Sequence, residues 1–282
     1  MNITECPRDA WQGFHPFIPT VRKAAYINEL LKVGFDTIDF GSFVSAKAMP
    51  QVSDTALLLD QLDLSGSKTK LLAIVANERG ALEASGFEQI TYLGYPFSIS
   101  ETFQLRNTNA SIEASVERVK GIAEIAANRG KEVVIYISMG FGNPYGDAWE
   151  AGIVMEWVER LAKLGIKIFS LSDTVGMAKT DDISSLFSEL IPAYPHLEFG
   201  AHFHTIPDEW RSKIEAAYHA GCRRFDGALL GYGGCPMAQD DLVGNMPTEQ
   251  LVAFAGEMSE PDQLNMDALK LAQSMFLQLV QK

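Results

Sequence analysis

Two histidines one residue apart, His202 and His204, end a run over residues 196–204 that reads as a buried strand. Side chains on a strand alternate faces with period two, so both imidazoles leave one face and Phe203 leaves the other. Two imidazoles side by side at a strand end can share one metal ion. An ordinary pair of histidines near a strand terminus would show the same spacing. Whether they do chemistry therefore depends on which other polar residues the chain delivers beside them.

Strand-like and helix-like segments alternate along the chain. Strands are expected over 2–5, 35–40, 69–76, 89–95, 132–138, 167–173, 196–204 and 223–229. The run 69–76 is rich in Leu, Ile and Val, as parallel strands covered on both faces are. Helices follow most of them. Val21, Ala24, Ile27 and Leu31 make one stripe, with Thr20 as an N-cap and Gly34 as the stop. A short helix is expected around 54–62. Ile112, Val116, Val119, Ala123 and Ala126 keep a helical period behind a Ser111 cap. Trp149, Ile153, Trp157, Leu161 and Leu164 mark another, ended by Gly165. Thr180 opens a helix with Asp181 and Asp182 in its first turn, where they suit the dipole, and Pro192 is expected to stop it. Trp210, Ile214 and Ala217 follow the histidine strand. Two last helices start near Thr248 and Asp262. About eight strand-then-helix units without a linker imply an α/β fold, a TIM (β/α)₈ barrel over residues 1–282 with a C-terminal helical extension. Two doubly wound domains are disfavoured, because no glycine fingerprint follows the first strand. No internal repeat or low-complexity tract is evident.

The chain has 282 residues, 47% hydrophobic and 21% charged, enough apolar material for a large core. With 36 acidic and 23 basic residues the net charge is −13, which disfavours broad binding to nucleic acid or an anionic membrane. It leaves room for an anionic small molecule held by a few local cations. No apolar run approaches the ~20 residues of a membrane span. The N-terminus lacks the basic and apolar regions of a signal peptide. Cys6, Cys222 and Cys235 form no disulfide pattern, so a reducing cytoplasm is expected. The residues do not themselves reveal an oligomeric state; a homo-oligomer, a dimer, is the expectation.

Barrel enzymes work at the C-terminal ends of their strands. Those ends carry Arg8 and Asp9, Asp39, Ser138, Asp173, His202 and His204, and the loop after the eighth strand adds Cys235 and Asn245. Each alone fits a solvated loop residue. Together they are a concentration of charge that a barrel built for stability does not need. Two histidines, an aspartate and an asparagine amide oxygen form a nitrogen and oxygen ligand set without thiolate. Such a set favours Mg²⁺, Mn²⁺ or another labile divalent ion over a structural zinc.

The pattern resembles the 3-hydroxy-3-methylglutaryl-CoA lyase family of metal-dependent carbon–carbon lyases. The likeness runs nearly end to end. It rests on Pro7-Arg8-Asp9 with Gln12, Ser42-Phe43-Val44-Ser45 with Lys47, Pro50 and Gln51, and Ser170-Leu171-Ser172-Asp173-Thr174-Val175-Gly176. It continues in His202-Phe203-His204, Gly233-Gly234-Cys235-Pro236, and Gly244-Asn245 with Thr248 and Glu249. The resemblance implies an enzyme that cleaves an acyl-CoA thioester, 3-hydroxy-3-methylglutaryl-CoA, to acetyl-CoA and acetoacetate. It implies that Asp9, His202, His204 and Asn245 bind the divalent metal, and that Arg8 stabilises the enolate. Asp173 is implied as an acid–base group and Cys235 as a thiol on a mobile loop that takes part in proton transfer. Gln12 and Ser42 would line the cleft, and Lys47 is a candidate for the CoA phosphates. General chemistry agrees: a divalent ion lowers the pKa of a bound hydroxyl from near the water value of ~15.7. A guanidinium stabilises a developing enolate, and a thiol with a pKa of ~8.5 can return the proton. For Cys6 and Cys222 the expected role is small buried filler.

The chain departs from the pattern in places. Thr205 stands where an aspartate is expected, Ala10-Trp11 where a glycine and a smaller apolar residue are usual, and Asp39 where a glutamate is usual. The loop from Cys235 to Asn245 carries Asp240-Asp241 and reads as slightly longer. Asp39 and Trp11 are expected to reshape the acyl pocket. Two other readings follow. One is a related aldolase or acyl-CoA condensing enzyme acting on a 2-oxo acid. The other is a catalytically silent barrel that binds an acyl-CoA.

Overall fold

The computed structural model describes residues 1–234, 243–260 and 264–280. Eight parallel strands close into a barrel in chain order: β1 (Asn2–Glu5), β2 (Thr37–Ser42), β3 (Lys70–Ile74), β4 (Ile90–Ser98), β5 (Glu132–Ser138), β6 (Ile168–Asp173), β7 (Glu198–Phe203) and β8 (Arg224–Gly227). Closure is made by β1 against β8, with Asn2 opposite Arg224 and Thr4 opposite Asp226. Around the barrel lie α1 (Pro7–Trp11), α2 (Thr20–Val33), α3 (Thr55–Leu59), α4 (Glu78–Ser85), α5 (Glu101–Thr108), α6 (Ile112–Asn128), α7 (Ala151–Ala162), α8 (Thr180–Ala193), α9 (Trp210–His219), α10 (Thr248–Glu257) and α11 (Met266–Val280). The TIM barrel and its C-terminal helix are thus as expected.

Period-two alternation divides the strand side chains between two cores. Ile38 and Phe40 of β2, Phe169 and Leu171 of β6, Phe199 and Phe203 of β7, and Phe225 of β8 join the large cluster beneath the helices. A smaller cluster of Leu72, Ile74, Tyr92, Val134, Tyr136 and Ile168 fills the barrel interior. The inward positions that continue this interior toward the C-terminal ends are polar: Asp39, Ser138, Ser172, His202 and Asp226. The fold thus spends its lower interior on packing and its upper interior on polar groups.

Several elements differ from expectation. Thr20 is the first helical residue of α2, with Pro19 as the N-cap, and Gly34 closes the helix in the left-handed region at φ 89°. Pro192 lies inside α8, near its end; a proline there forfeits one ladder bond and the helix still runs one residue further. Trp149 precedes α7 and donates its indole N–H to the Gly140 carbonyl at 2.9 Å. β4 runs on to Ser98. Three helices were not expected, the short α1, α4 and α5. The last two start at side-chain caps, Asn77 accepting from the Gly80 N–H and Ser100 from the Phe103 N–H. Their short polar sequences carry too few apolar residues to show a period, and the caps were the legible signal.

Candidate active site and metal centre

β1 ends and α1 begins at once, with Pro7 pre-set for a first helical turn. That turn throws Arg8 and Asp9 over the mouth of the barrel. A cavity of about 450 Å³ opens there, lined by Arg8, Asp9, Gln12, Ser42, Ser138, Ser172, His202 and His204 among others. One ligating atom each from Asp9, His202 and His204 lies within 4.8 Å of the others. The Nε2 of His204 is 3.9 Å from Asp9 Oδ2. The two imidazoles from β7 and its end stand with ring centroids 5.4 Å apart, as the alternation requires.

His204 is 3% exposed, and neither of its ring nitrogens has a hydrogen-bond partner among the described residues. Buried polar atoms rarely go unpaired. Burial and then the neighbouring His202 lower its pKa to about 4, so at neutral pH it offers lone pairs rather than charge. Burial pushes the Asp9 carboxyl up, but Arg8, the histidines and the Asn245 amide outweigh it and keep it below the ordinary range. A carboxylate and two imidazoles, oxygen and nitrogen without sulfur, fit a labile divalent cation. Asn245 sits on the same carboxylate. Its Nδ2 donates to Asp9 Oδ2 at 2.7 Å and to the Tyr232 carbonyl at 2.9 Å. Gly233 makes this closeness possible. A Cβ there would lie 2.6 Å from Asn245 Nδ2 and 2.7 Å from the Asp9 carbonyl, and its φ is 104°.

The Arg8 guanidinium is held on three sides. Its Nε reaches both Asp39 oxygens at 3.2 and 3.1 Å, and its Nη2 pairs with Asp39 Oδ2. Its Nη1 donates to Asp9 Oδ1 at 3.1 Å and Gln12 Oε1 at 2.9 Å. Burial raises the Asp39 carboxyl to about 6 against the pull of Arg8, which leaves it ionised at neutral pH. Gln12 in turn donates to Asp9 Oδ1 and to the Gly234 carbonyl. The result is a fixed cation aimed by two carboxylates beside the candidate metal ligands.

The HMGL-like family description matches residues 3–275. The chain belongs to the HMGL-like family. Hydroxymethylglutaryl-CoA lyase of Pseudomonas mevalonii is 31% identical over 251 residues, 87% of this chain and 81% of that one. The YngG lyase of Bacillus subtilis (strain 168) is 30% identical over 266 residues, 93% and 87% of the two chains. Among solved structures, an HMG-CoA lyase from Acinetobacter baumannii, in complex with coenzyme A and 3-methylmalate, superposes with a TM-score of 0.91 at 30% identity, covering 99% of this chain and 90% of that one. The HMG-CoA lyase of Brucella melitensis gives 0.89 at 28% identity, covering 100% and 99%. Likeness to a putative aldolase domain from Bacteroides vulgatus, at 16% identity and TM-score 0.70, is one of fold alone. The protein is an enzyme, a carbon–carbon lyase.

The remaining expected site residues of this HMGL-like lyase divide. Ser42 lines the cavity, donating to the Ile74 carbonyl at 3.1 Å. Lys47 is exposed on the loop after β2, whose Ser45, Ala48 and Met49 line the cavity while Lys47 itself does not. Cys235 lies outside the described residues. Cys6 and Cys222 are fully buried, with thiols donating to the Thr4 and Arg224 carbonyls and burial pushing Cys222 up to about 12. Asp173 requires correction. On β6 the inward positions are Ser170 and Ser172, so Asp173 faces the helix layer and does not line the cavity. Its Oδ2 pairs with Lys213 at 2.8 Å, and it accepts the N–H groups of Met177 and Ala178 at 2.9 and 3.1 Å. In this structure it forms a buried ion pair and does not face the cavity. Trp11 also differs from expectation: it packs edge-on to Tyr26 with centroids 6.0 Å apart, 1% exposed, away from the acyl pocket.

Sequence reasoning passed over Asp226, Tyr136 and Thr174 inside or at the top of the barrel, and Arg106, Asn107 and Asn109 on and after α5, which line the cavity mouth. The first group had a signal: a charged residue at alternate positions of a short apolar strand, as in Arg224-Phe225-Asp226. The second had none, because α5 itself was not foreseen.

Proposed function

We propose that this lyase cleaves 3-hydroxy-3-methylglutaryl-CoA, or a close 3-hydroxyacyl-CoA, to acetyl-CoA and acetoacetate, with Mg²⁺ or Mn²⁺ as cofactor. The observation that carries this is the clamped Arg8 guanidinium beside the Asp9, His202 and His204 cluster in one cavity. Asp9, His202 and His204, with the amide oxygen of Asn245, would hold the metal, which supplies Lewis acidity for the substrate hydroxyl. Arg8 would face the thioester oxygen, where enolate charge develops. Its geometry is fixed beforehand by Asp39 and Gln12, so no reorganisation is spent when the carbon–carbon bond breaks. The hydroxyl proton must pass to a group facing the cavity, and Asp173 is not one. Ile74, Pro96 and Tyr136 form the apolar wall available to the acyl chain. The Cys235 thiol would return a proton to the enolate carbon.

Support for the CoA ester comes from the lyases at 30–31% identity and from the related structure that holds coenzyme A. Ser45, Ala48 and Arg106 at the cavity mouth, with Lys47 beside them, are the groups we assign to the CoA end. A cytoplasmic location is proposed on the reduced, buried Cys6 and Cys222. No helix among the described residues is long and apolar enough to cross a membrane. The expected homodimer is part of the proposal and is checked by sedimentation. The deciding experiment is a turnover screen of 3-hydroxyacyl-CoA thioesters with Mg²⁺ and Mn²⁺. Acetoacetate release from the 3-hydroxy-3-methylglutaryl thioester supports the proposal. Pyruvate release from a 4-hydroxy-2-oxo acid, with no thioester cleaved, would replace it with an aldolase.

A further inference from the structure

Beneath the candidate metal centre the barrel interior carries a second charged layer. Asp226 and Arg224 stand two residues apart on β8 and so share its inward face, 2% and 5% exposed. Asp226 Oδ2 accepts from Ser170 Oγ at 2.9 Å and lies 3.2 Å from His202 Nδ1. Asp226 does not line the cavity, whereas His202 does. The Tyr136 ring meets the His202 ring edge-on, with centroids 5.3 Å apart, and restricts its rotation. A carboxylate this deeply buried needs a nearby counter-charge to remain ionised. Arg224 stands on the same face and its charge favours the ionised carboxylate; its Nη1 and Nη2, like Asp226 Oδ1, have no hydrogen-bond partner among the described residues, and its Nε lies 3.7 Å from Glu198 Oε1.

We propose that Asp226, with Arg224 as its counter-charge, is a positioning residue that keeps the His202 proton on Nδ1 and so aims the Nε2 lone pair at the point where Asp9 and His204 converge. No second carboxylate stands behind His204 among the described residues, where Thr174 offers only a backbone group, so the two histidines are unequal: a buried carboxylate backs one and not the other. A carboxylate behind a ligating imidazole fixes the tautomer, orients the ring and raises its basicity. A merely structural Asp226 would affect folding and leave metal affinity alone. The inference rests on the metal-site reading above, but not on which thioester is cleaved.

The test is a Mn²⁺ titration of metal-free protein, following free Mn²⁺ by electron paramagnetic resonance, with melting of the metal-free form measured alongside. Asp226→Asn should weaken Mn²⁺ binding about ten- to a hundredfold, and Ser170→Ala only a few-fold. In the metal-free wild-type protein, long-range ¹H–¹⁵N correlation of labelled histidine should show His202 protonated on Nδ1. That spectrum decides the matter even if Asp226→Asn fails to fold. Affinity within twofold of wild type in a folded Asp226→Asn protein, or an Nε2–H tautomer of His202, overturns this inference alone. A wild-type protein that binds no Mn²⁺ overturns the metal reading and this inference with it.

Discussion

Asp9 and Asp173 look alike in the sequence: one follows the first barrel strand, the other ends the sixth, and each sits in a polar motif. Their surroundings are opposite. Asp9 tips over the barrel mouth on α1, with His204 Nε2 3.9 Å away and unpaired. Asp173 turns into the helix layer, where Lys213 saturates it. The Lys213 ammonium, 2% exposed, also donates to the Gly176 carbonyl at 2.9 Å and the His204 carbonyl at 3.1 Å. One carboxylate is held ready beside open ligand atoms; the other latches the ends of β6 and β7 together. The turn of α1 carries Asp9 over the mouth, whereas the outward phase of the last β6 residue turns Asp173 away from it. Being at a strand's C-terminal end therefore does not suffice to make a site residue of this barrel.

The largest effect should come from breaking the open side. Asp9→Ala removes a proposed metal ligand and an anchor of Arg8, and metal-dependent turnover should fall by about a thousandfold or more, ~4 kcal/mol of barrier. Next comes the latched side. Lys213→Met leaves Asp173 buried without a counter-charge and should cost about 3 kcal/mol of stability, read by urea unfolding. Asp173→Asn sharpens the contrast. In the folded variant, kcat should stay within tenfold of wild type, whereas a loss of about 10²–10⁴ would return Asp173 to acid–base duty. Arg8→Gln removes the proposed donor to the enolate and should lower kcat about a hundredfold.

Smaller effects sharpen the comparison at a third carboxylate. Glu5, outward at the end of β1, accepts from the Leu229 N–H at 3.0 Å and from Thr248 Oγ1. Burial raises it to about 8 from 4.5, so it is neutral in the fold at pH 7. A folded-state pKa above the unfolded one means that its stability contribution is whole below the unfolded value and is lost as pH rises toward 8. Glu5→Gln should therefore gain on wild type between about pH 5 and pH 8, measured by urea unfolding at both ends. Lys47→Ala, at an exposed position, should raise KM a few-fold at most, ~1 kcal/mol or less.

The barrel was legible because the strand runs are strongly apolar and the helices behind Ser111 and Gly34 carry their own caps and stops. Arg8, Asp9, His202, His204 and Asn245 could be assembled from order and motif, since a barrel brings all its strand ends to one rim. Phase was harder. The strand reading of 167–173 was correct, yet Asp173 was counted with the rim because the inward register of β6 is set by pairing with its neighbours. Trp11 was expected to reshape the acyl pocket because it stands where a smaller apolar residue is usual, and the turn of α1 carries it into the core instead. Arg106 and its neighbours were invisible because α5 has no apolar period. The Asp226 layer was visible in Arg224-Phe225-Asp226 and was passed over, since an inward charge below the rim matches no motif.

The most direct test of the central claim is anomalous diffraction from crystals grown with Mn²⁺. One peak should appear about 2.0–2.3 Å from Asp9, His202 and His204 together, a normal coordination distance. No peak among these residues, or a peak that only one of them touches, would contradict the convergence on which the lyase chemistry rests.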